Sequence, residues 1–499
     1  MPRQQTFITV FVLALATTSL GIVAAQQLMS SGWPAYRADA AHSSFAPTMH
    51  PRTGPPSSTL WTFSGTTSQT LSAVVVDATA DQAYFVVLEE RGDATTLHAV
   101  QATTGLSLWN YTLTGFIDVY GSHAFLSLLD DGSVIAVTRS AVHRVSTAGA
   151  ALWVTQQTQT VLDLDALVAD GLVIVTAGLC GTGAVRDRRG GAKAHRRAVQ
   201  DPAGAASATA PPYSHAAFSL ADGSLAWSYV EHMPGNGGFC STPVLGAPGL
   251  LFITTQEITS ESYWWGIRFN SSAAWTVLNG SFPDTGNPDI GSDWNAVVGG
   301  RFIAPYSDES GVEFRIAAVD VATGAATLYT DARGCWQQNG ICGSFSGGVG
   351  PDGTTPRVMQ IQPDDGTDYD AVLNVFAADN LGDTGLLWSA SIGPGPTDPL
   401  LNVPVVCDGR GNVYAAYNRT LSGFAHDGTR MWTWQSPGEI VAQPAWPSAP
   451  TTSEPNAGAS ALADVAIITY YGGASDGAAP RMHIAAITWA PAAAAVATA

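Results

Sequence analysis

Positive charge is scarce in this chain. Its 21 lysines and arginines stand against 40 aspartates and glutamates, a formal net charge of −19 over 499 residues. Such a field repels polyanions, which disfavours nucleic acid and anionic membranes as partners and favours solubility. Charge of either sign is sparse, at 12% of residues. No stretch shows the 10–15-residue amphipathic periodicity of the helices that a parallel α/β sheet would need between its strands. There are five cysteines, and no pair is spaced C-x-x-C or followed by His as C-x-x-C-H, which excludes zinc ribbons and c-type haem attachment. The ten histidines form no His-x-His or His-Glu-x-x-His pair; His98, His143 and His483 fall within strand-like runs and read as packing or surface residues. No carboxylate pair announces a glycosidase by its spacing. After the first 25 residues no apolar run approaches the roughly 18 residues of a membrane span.

What is abundant is apolar sequence, 46% of the chain, together with 52 glycines and 29 prolines. That mixture calls for many short strands and tight turns. One unit recurs: a β-rich run, a small polar turn usually holding glycine, and an aromatic residue about four positions later. The clearest copies pair Gly105 with Trp109, Gly149 with Trp153, Gly223 with Trp227 and Gly428 with Trp432. Weaker copies pair Gly324 with Tyr329 and Gly385 with Trp388, while Trp275 lacks the glycine and Trp61 lacks the turn. The intervals between these aromatics are 48, 44, 74, 48, 54, 59 and 44 residues. A four-stranded propeller blade takes roughly 40–50 residues, so one aromatic marks one blade. Glycine at the turn reaches φ > 0 without a Cβ clash, and the ring on the following strand can wedge between blades with its N–H on a backbone acceptor.

The expected fold is therefore all-β, an eight-bladed β-propeller of four-stranded antiparallel blades. Trp61 has no strands of its own before it. Its strand should be the outermost strand of the last blade, beside Arg481 to Thr488, so that the chain ends pair and close the ring. A seven-bladed ring with a decayed repeat around Trp275 is the alternative. The expected divisions are a signal peptide over 1–25, a lead-in segment over 26–56, the propeller over 57–489 and a disordered tail over 490–499.

The signal is read from Arg3, the apolar run Phe7 to Val23 and the small residues Val23 to Ala25 before Gln26. Its removal takes the formal charge to −20 and leaves no integral membrane segment. It predicts a secreted or extracellular protein, or one of the endomembrane lumen. In that compartment four sequons become glycosylation candidates: Asn110, Asn270, Asn279 and Asn418. Cys335 and Cys342 bracket a short loop and are the best disulfide pair; Cys180, Cys240 and Cys407 stay unassigned. Residues 181–212 form a basic, Ala- and Gly-rich insertion in the third blade, expected to be disordered. Arg186, Arg188 and Arg189 within it resemble a processing site, against the alternative of an unprocessed loop. Asp364, Asp365, Asp368 and Asp370 concentrate carboxylates as a calcium loop would, but without its spacing, and a structural turn is the preferred reading. The small apolar C-terminus faintly resembles a lipid-anchor signal, though a final strand with a frayed end is preferred.

These repeats resemble those of the quinoprotein dehydrogenase-like family, the PQQ-like repeat propellers, whose units read Ala-x-Asp-x-x-Thr-Gly-x-x-x-Trp. Ala318, Asp320, Thr323 and Gly324 come nearest, with Tyr329 in place of Trp, and Trp33 to Ser43 resembles the family's N-terminal segment. The resemblance spans about 33 to 489 and implies the fold. Enzymes of the family hold pyrroloquinoline quinone (PQQ) and calcium against a disulfide between two adjacent cysteines, and no Cys-Cys pair exists here. The reading is thus a non-enzymatic, monomeric module for an unidentified protein or glycan, with no cofactor and no metal. The alternative is a secreted quinone-dependent dehydrogenase or carbohydrate-active enzyme with its site at the propeller funnel, and only that alternative brings in PQQ and calcium.

Overall fold

The computed structural model describes residues 44–46, 49, 51–66, 69–72, 74–89, 95–115, 126–138, 140–157, 161–177, 215–229, 238–241, 243–257, 262–282, 295–307, 314–329, 345–363, 370–394, 405–447, 462, 464–472 and 481–489. They form eight antiparallel sheets, each a meander from an inner first strand to an outer fourth strand, arranged as a β-propeller. Blade 1 spans Gln69–Leu71 to Ser107–Leu113, blade 2 Leu126–Leu128 to Ala151–Gln156, blade 3 Val161–Ala169 to Leu225–Tyr229 and blade 4 Gly238–Cys240 to Ala274–Phe282. Blade 5 spans Ala296–Val298 to Ala326–Tyr329, blade 6 Phe345–Val349 to Leu386–Pro394 and blade 7 Val406–Asp408 to Arg430–Gln435. Blade 8 takes Glu439–Ile440, Val465–Gly472 and Arg481–Thr488 from one end of the chain and Ser58–Ser64 from the other. The Trp61 strand thus closes the ring where the sequence places it. Phe45–Ala46 adds a short parallel strand to blade 7.

The wedge works between blades rather than within a repeat. Trp109 of blade 1 sits on the turn of blade 2: a Cβ on Gly149 (φ 79°) would lie 2.7 Å from its ring, and its indole N–H donates to Thr147 O at 2.7 Å. Trp61 repeats this on Gly105 and Ala102 O, Trp153 on Gly223 and Leu220 O, and Trp388 on Gly428 and His426 O. Glycine is required twice at each seat, for the left-handed backbone and for the space that the neighbouring indole fills. Each donor adds about 1 kcal/mol net to the apolar burial of the ring.

A β-bulge sets each ring in place. Opposite the wedge residue the register slips by one, leaving an extra residue just before it: Leu108 in blade 1, Leu152 in blade 2 and Leu387 in blade 6. The bulge turns the wedge residue into the blade gap and pushes the extra one outward. This explains why these leucines are 45%, 51% and 47% exposed.

Blade 4 departs from the pattern, and here the expectation for Trp275 is corrected. Its bulge falls opposite Leu278, so Leu278 takes the wedge position. A Cβ on Gly324 would meet Leu278 at 3.0 Å and Trp264 at 3.3 Å, while Trp275 is 42% exposed. The indole is supplied by Trp264 on the adjacent strand. The decayed repeat still builds a blade, which excludes the seven-bladed alternative. In blade 5, which lacks a bulge, the Tyr329 hydroxyl donates to Asp379 O at 3.2 Å, over a turn containing a 3-10 segment at Asp383–Gly385.

Removing a wedge ring should cost far more than removing the exposed indole. Trp109→Ala is expected to destabilise by about 3 kcal/mol, as large aromatic truncations do, and Trp275→Ala by less than about 0.5 kcal/mol, as for a surface change. Urea unfolding followed by circular dichroism compares them; equal losses would contradict the wedge assignment.

Candidate functional site

An antiparallel meander puts its connections at alternate ends, so the ring has two unlike faces. The turns between first and second strands and between third and fourth strands share one face. The connections from second to third strands, and from each blade to the next, leave from the other. The strands that bound 114–125, 178–214, 230–237, 283–294, 330–344 and 395–404 end on that second face. A rigid scaffold that gathers its long connections on one side commonly carries function there. We call it the connection face.

Several acids of the turn face are spent within their own turns. Asp320 Oδ1 accepts the Thr323 N–H at 2.8 Å and its hydroxyl at 2.7 Å. Asp352 accepts the N–H groups of Thr354 and Thr355, Asp222 the N–H and hydroxyl of Ser224, and Asp427 the N–H of Thr429. The hydrogen bonds of these turns hold all four carboxyls below the usual carboxylate range. Burial would raise Asp131, but bonds from Ser133 and the charge of Arg144 outweigh it. Such acids order turns and have little left over for a ligand.

The most heavily built cluster on this side closes the ring. Blade 8 has no turn between its third and fourth strands, because these come from opposite chain ends. The lead-in segment fills that place. The Trp432 indole donates to Arg52 O at 2.7 Å and the Trp489 indole to Gly54 O at 2.6 Å. The Arg52 guanidinium lies 4.9 Å from the Trp489 ring centroid and bonds Asp464 at 2.5 Å, while the Arg52 backbone N–H donates to the Tyr414 hydroxyl. That hydroxyl donates in turn to Asp408 at 3.0 Å. Burial pulls Arg52 below its ordinary range, with Asp464 and Tyr414 opposing, and pushes Tyr414 up. Arg52, Tyr414, Trp446, Asp464 and Trp489 escape the repeat reading because each occurs once. Trp446 and Trp489, falling out of register with the other tryptophans, are the signal that could have found them.

The remaining sequence candidates scatter. Cys407 is a free thiol, 1% exposed, packed where a Cβ on Gly348 would meet its Sγ at 2.7 Å, and burial pushes it up to about 12. Cys335, Cys342, Cys180, Arg186, Arg188, Arg189, Asp364, Asp365 and Asp368 lie outside the described residues. Asp370 begins a strand of blade 6, and Cys240 ends one of blade 4. Asn110 and Asn279 lie on outermost strands, Asn270 in a turn and Asn418 in a hairpin. No group of three His, Cys, Asp or Glu side chains able to hold a metal occurs among the described residues. No helix among them is long and apolar enough to cross a membrane.

Fold and topology define the class, an eight-bladed β-propeller. No family model matches the chain, and no curated protein does. Among solved structures it is similar to a europium-containing methanol dehydrogenase, at 11% identity and a TM-score of 0.57 over 92% of this chain and 98% of that one. It also matches Saccharomyces cerevisiae Sqt1, at 11% identity and 0.49 over 89% and 100%. A third match is the Neurospora crassa Pan2 WD40 domain, at 7% and 0.40 over 87% and 96%. At these identities the likeness to the dehydrogenase is one of fold, and the quinoprotein resemblance is distant. The adjacent cysteine pair that such enzymes set against the quinone has no counterpart in this sequence. Cys407 has Val406 and Asp408 for neighbours rather than a second cysteine, and Asp320 and Asp352 are bonded within their own turns.

Three histidines make stability sensitive to acid. Burial lowers His98, His143 and His483 below the ordinary 6.5. The folded chain therefore binds fewer protons than the unfolded chain just below that pH. Their contribution is complete above 6.5 and falls as pH drops toward the lowered values, before the carboxylates titrate. The urea midpoint should decline between pH 7 and pH 5, and His143→Gln should flatten the decline; a level profile would contradict it. Cys407 should resist alkylation at pH 8 in the folded protein and react fully in urea.

Proposed function

We propose that this chain is a non-enzymatic binding module of the secretory pathway that offers its connection face to a protein or glycan. The observation that supports it is the division of labour between the two faces. The short turns of one face are spent on holding blades together, while most of the long connections, with the 178–214 segment the longest, leave from the other. A closed ring of wedged sheets is a stiff frame, and a stiff frame lowers the entropy lost when surface segments engage a ligand. Recognition on such a face needs no cofactor. The secretory assignment rests on the N-terminal pattern Arg3, Phe7 to Val23 and Val23 to Ala25.

The purified protein should bind one ligand class on a combined array of glycans and extracellular proteins. Replacing 178–214 with a short hairpin turn should weaken that binding at least tenfold, equivalent to about 1.4 kcal/mol, and leave the melting temperature within a few degrees. Reduction of a redox dye with alcohols or sugars after PQQ and calcium are added would overturn the reading.

A further inference from the structure

The four sequons look alike in sequence, but the fold treats them differently. Asn110 directly follows Trp109, and Asn279 directly follows Leu278, the residue opposite the bulge of blade 4. Both therefore stand at the same place in the repeat, one residue past the wedge on an outermost strand. The pleat then fixes their direction. A residue turned into the gap toward the next blade forces its successor to the opposite side of the strand. Asn110 and Asn279 are both exposed, as are the sequon hydroxyl residues Thr112 and Ser281. Each faces a flat ring across the ladder, His98 and Trp265 respectively. Across the ladder the Asn110 side chain favours the charged form of His98, against the lowering by burial. The Trp265 indole N–H is committed to Thr255 Oγ1 at 2.8 Å, which leaves the ring as an apolar platform beside Asn279.

The other two sequons are tied up. Asn270 Oδ1 accepts the Ser272 N–H at 2.8 Å, the Ala273 N–H at 2.9 Å and the Ser272 hydroxyl at 3.0 Å, so the sequon hydroxyl is spent on the turn. The same turn seats Trp227, whose indole donates to Asn270 O at 2.9 Å. Asn418 is half-buried at φ 53° and its carbonyl accepts the Ile440 N–H at 2.6 Å. Its sequon hydroxyl, Thr420 Oγ1, accepts from Gln435 at 3.0 Å.

We infer that Asn110 and Asn279 carry N-linked glycans and that Asn270 and Asn418 do not. The inference rests on the secretory reading above. In the transfer, the amide Nδ2 attacks C1 of a polyprenyl-diphosphate-linked oligosaccharide. The N–C1 bond forms, the C1–O bond breaks with its electron pair leaving on the polyprenyl diphosphate, and Nδ2 gives up one proton to a base. The glycans then stand over the unpaired outer edges of blades 1 and 4. Beside Asn110 lie Leu106 and Leu108, 64% and 45% exposed, and beside Asn279 lie Trp275 and Val277, 42% and 40% exposed. Bare, apolar edge strands invite pairing between copies, and a bulky hydrated group on the strand blocks it.

The test is secretion from a eukaryotic host in two arms, one with residues 1–25 and one with a proven heterologous signal. Deglycosylation by peptide N-glycosidase in heavy-oxygen water marks each occupied asparagine as a labelled aspartate for mass spectrometry. In the heterologous arm most copies should be labelled at Asn110 and Asn279 and few at Asn270 and Asn418, with a loss of two glycans in mass. The double variant Asn110→Gln/Asn279→Gln should remain folded and show more multimers by light scattering. Unlabelled Asn110 and Asn279, or equal labelling of all four, overturns the inference. Failure of the native-signal arm alone overturns the secretory reading and leaves the glycan assignment standing.

Discussion

The contact of an indole with a bare glycine in the next blade is the interaction on which the rest of this ring depends. A blade of four strands has two apolar faces and cannot bury both by itself. The wedge solves this by fixing the depth and azimuth at which neighbours meet. It demands three things together: a glycine at positive φ, an aromatic ring one blade earlier and a bulge that aims the ring. Where one is missing the others compensate. Blade 4 keeps the bulge and fills the seat with Leu278 and Trp264, and blade 5 drops the bulge and lets a tyrosine hydroxyl reach Asp379.

The ring must also close, and closure is where the repeat cannot supply its own parts. Blade 8 borrows Ser58–Ser64 from the start of the chain, which leaves it without the turn that Trp432 would sit on. The lead-in segment is recruited as a substitute, with the Arg52 and Gly54 carbonyls accepting indole protons. Holding a guanidinium among aromatic rings is costly unless it is paired, and Asp464 provides the pairing. The 441–464 connection leaves from the turn face, and its Trp446 and Asp464 belong to this cluster.

Much of the fold was legible because the wedge imposes a period. Trp61, Trp109, Trp153, Trp227, Trp388 and Trp432 all donate to carbonyls across a blade gap, and their spacing announced them. Trp275 was misplaced because identity alone does not reveal a bulge: the slip that selects Leu278 is a property of two paired strands. The pairing of each ring with a glycine of the following repeat was equally hidden, since a repeat read along the chain joins Gly105 to Trp109 while the structure joins Gly105 to Trp61. A binding site was less legible still, because the segments on the connection face share no period.

The sequence by itself determined the all-β repeat, the strand that closes the ring and the acidic character of the chain, because each is a matter of count and order; eight blades rather than seven waited on the structure. Only the tertiary structure decided which residues are wedges and which are merely aromatic, and which sequons lie on outermost strands and which in turns. It also decided how Arg52 substitutes for a missing turn. Those depend on register and on contacts between blades distant in sequence, and neither is encoded in any single stretch of residues.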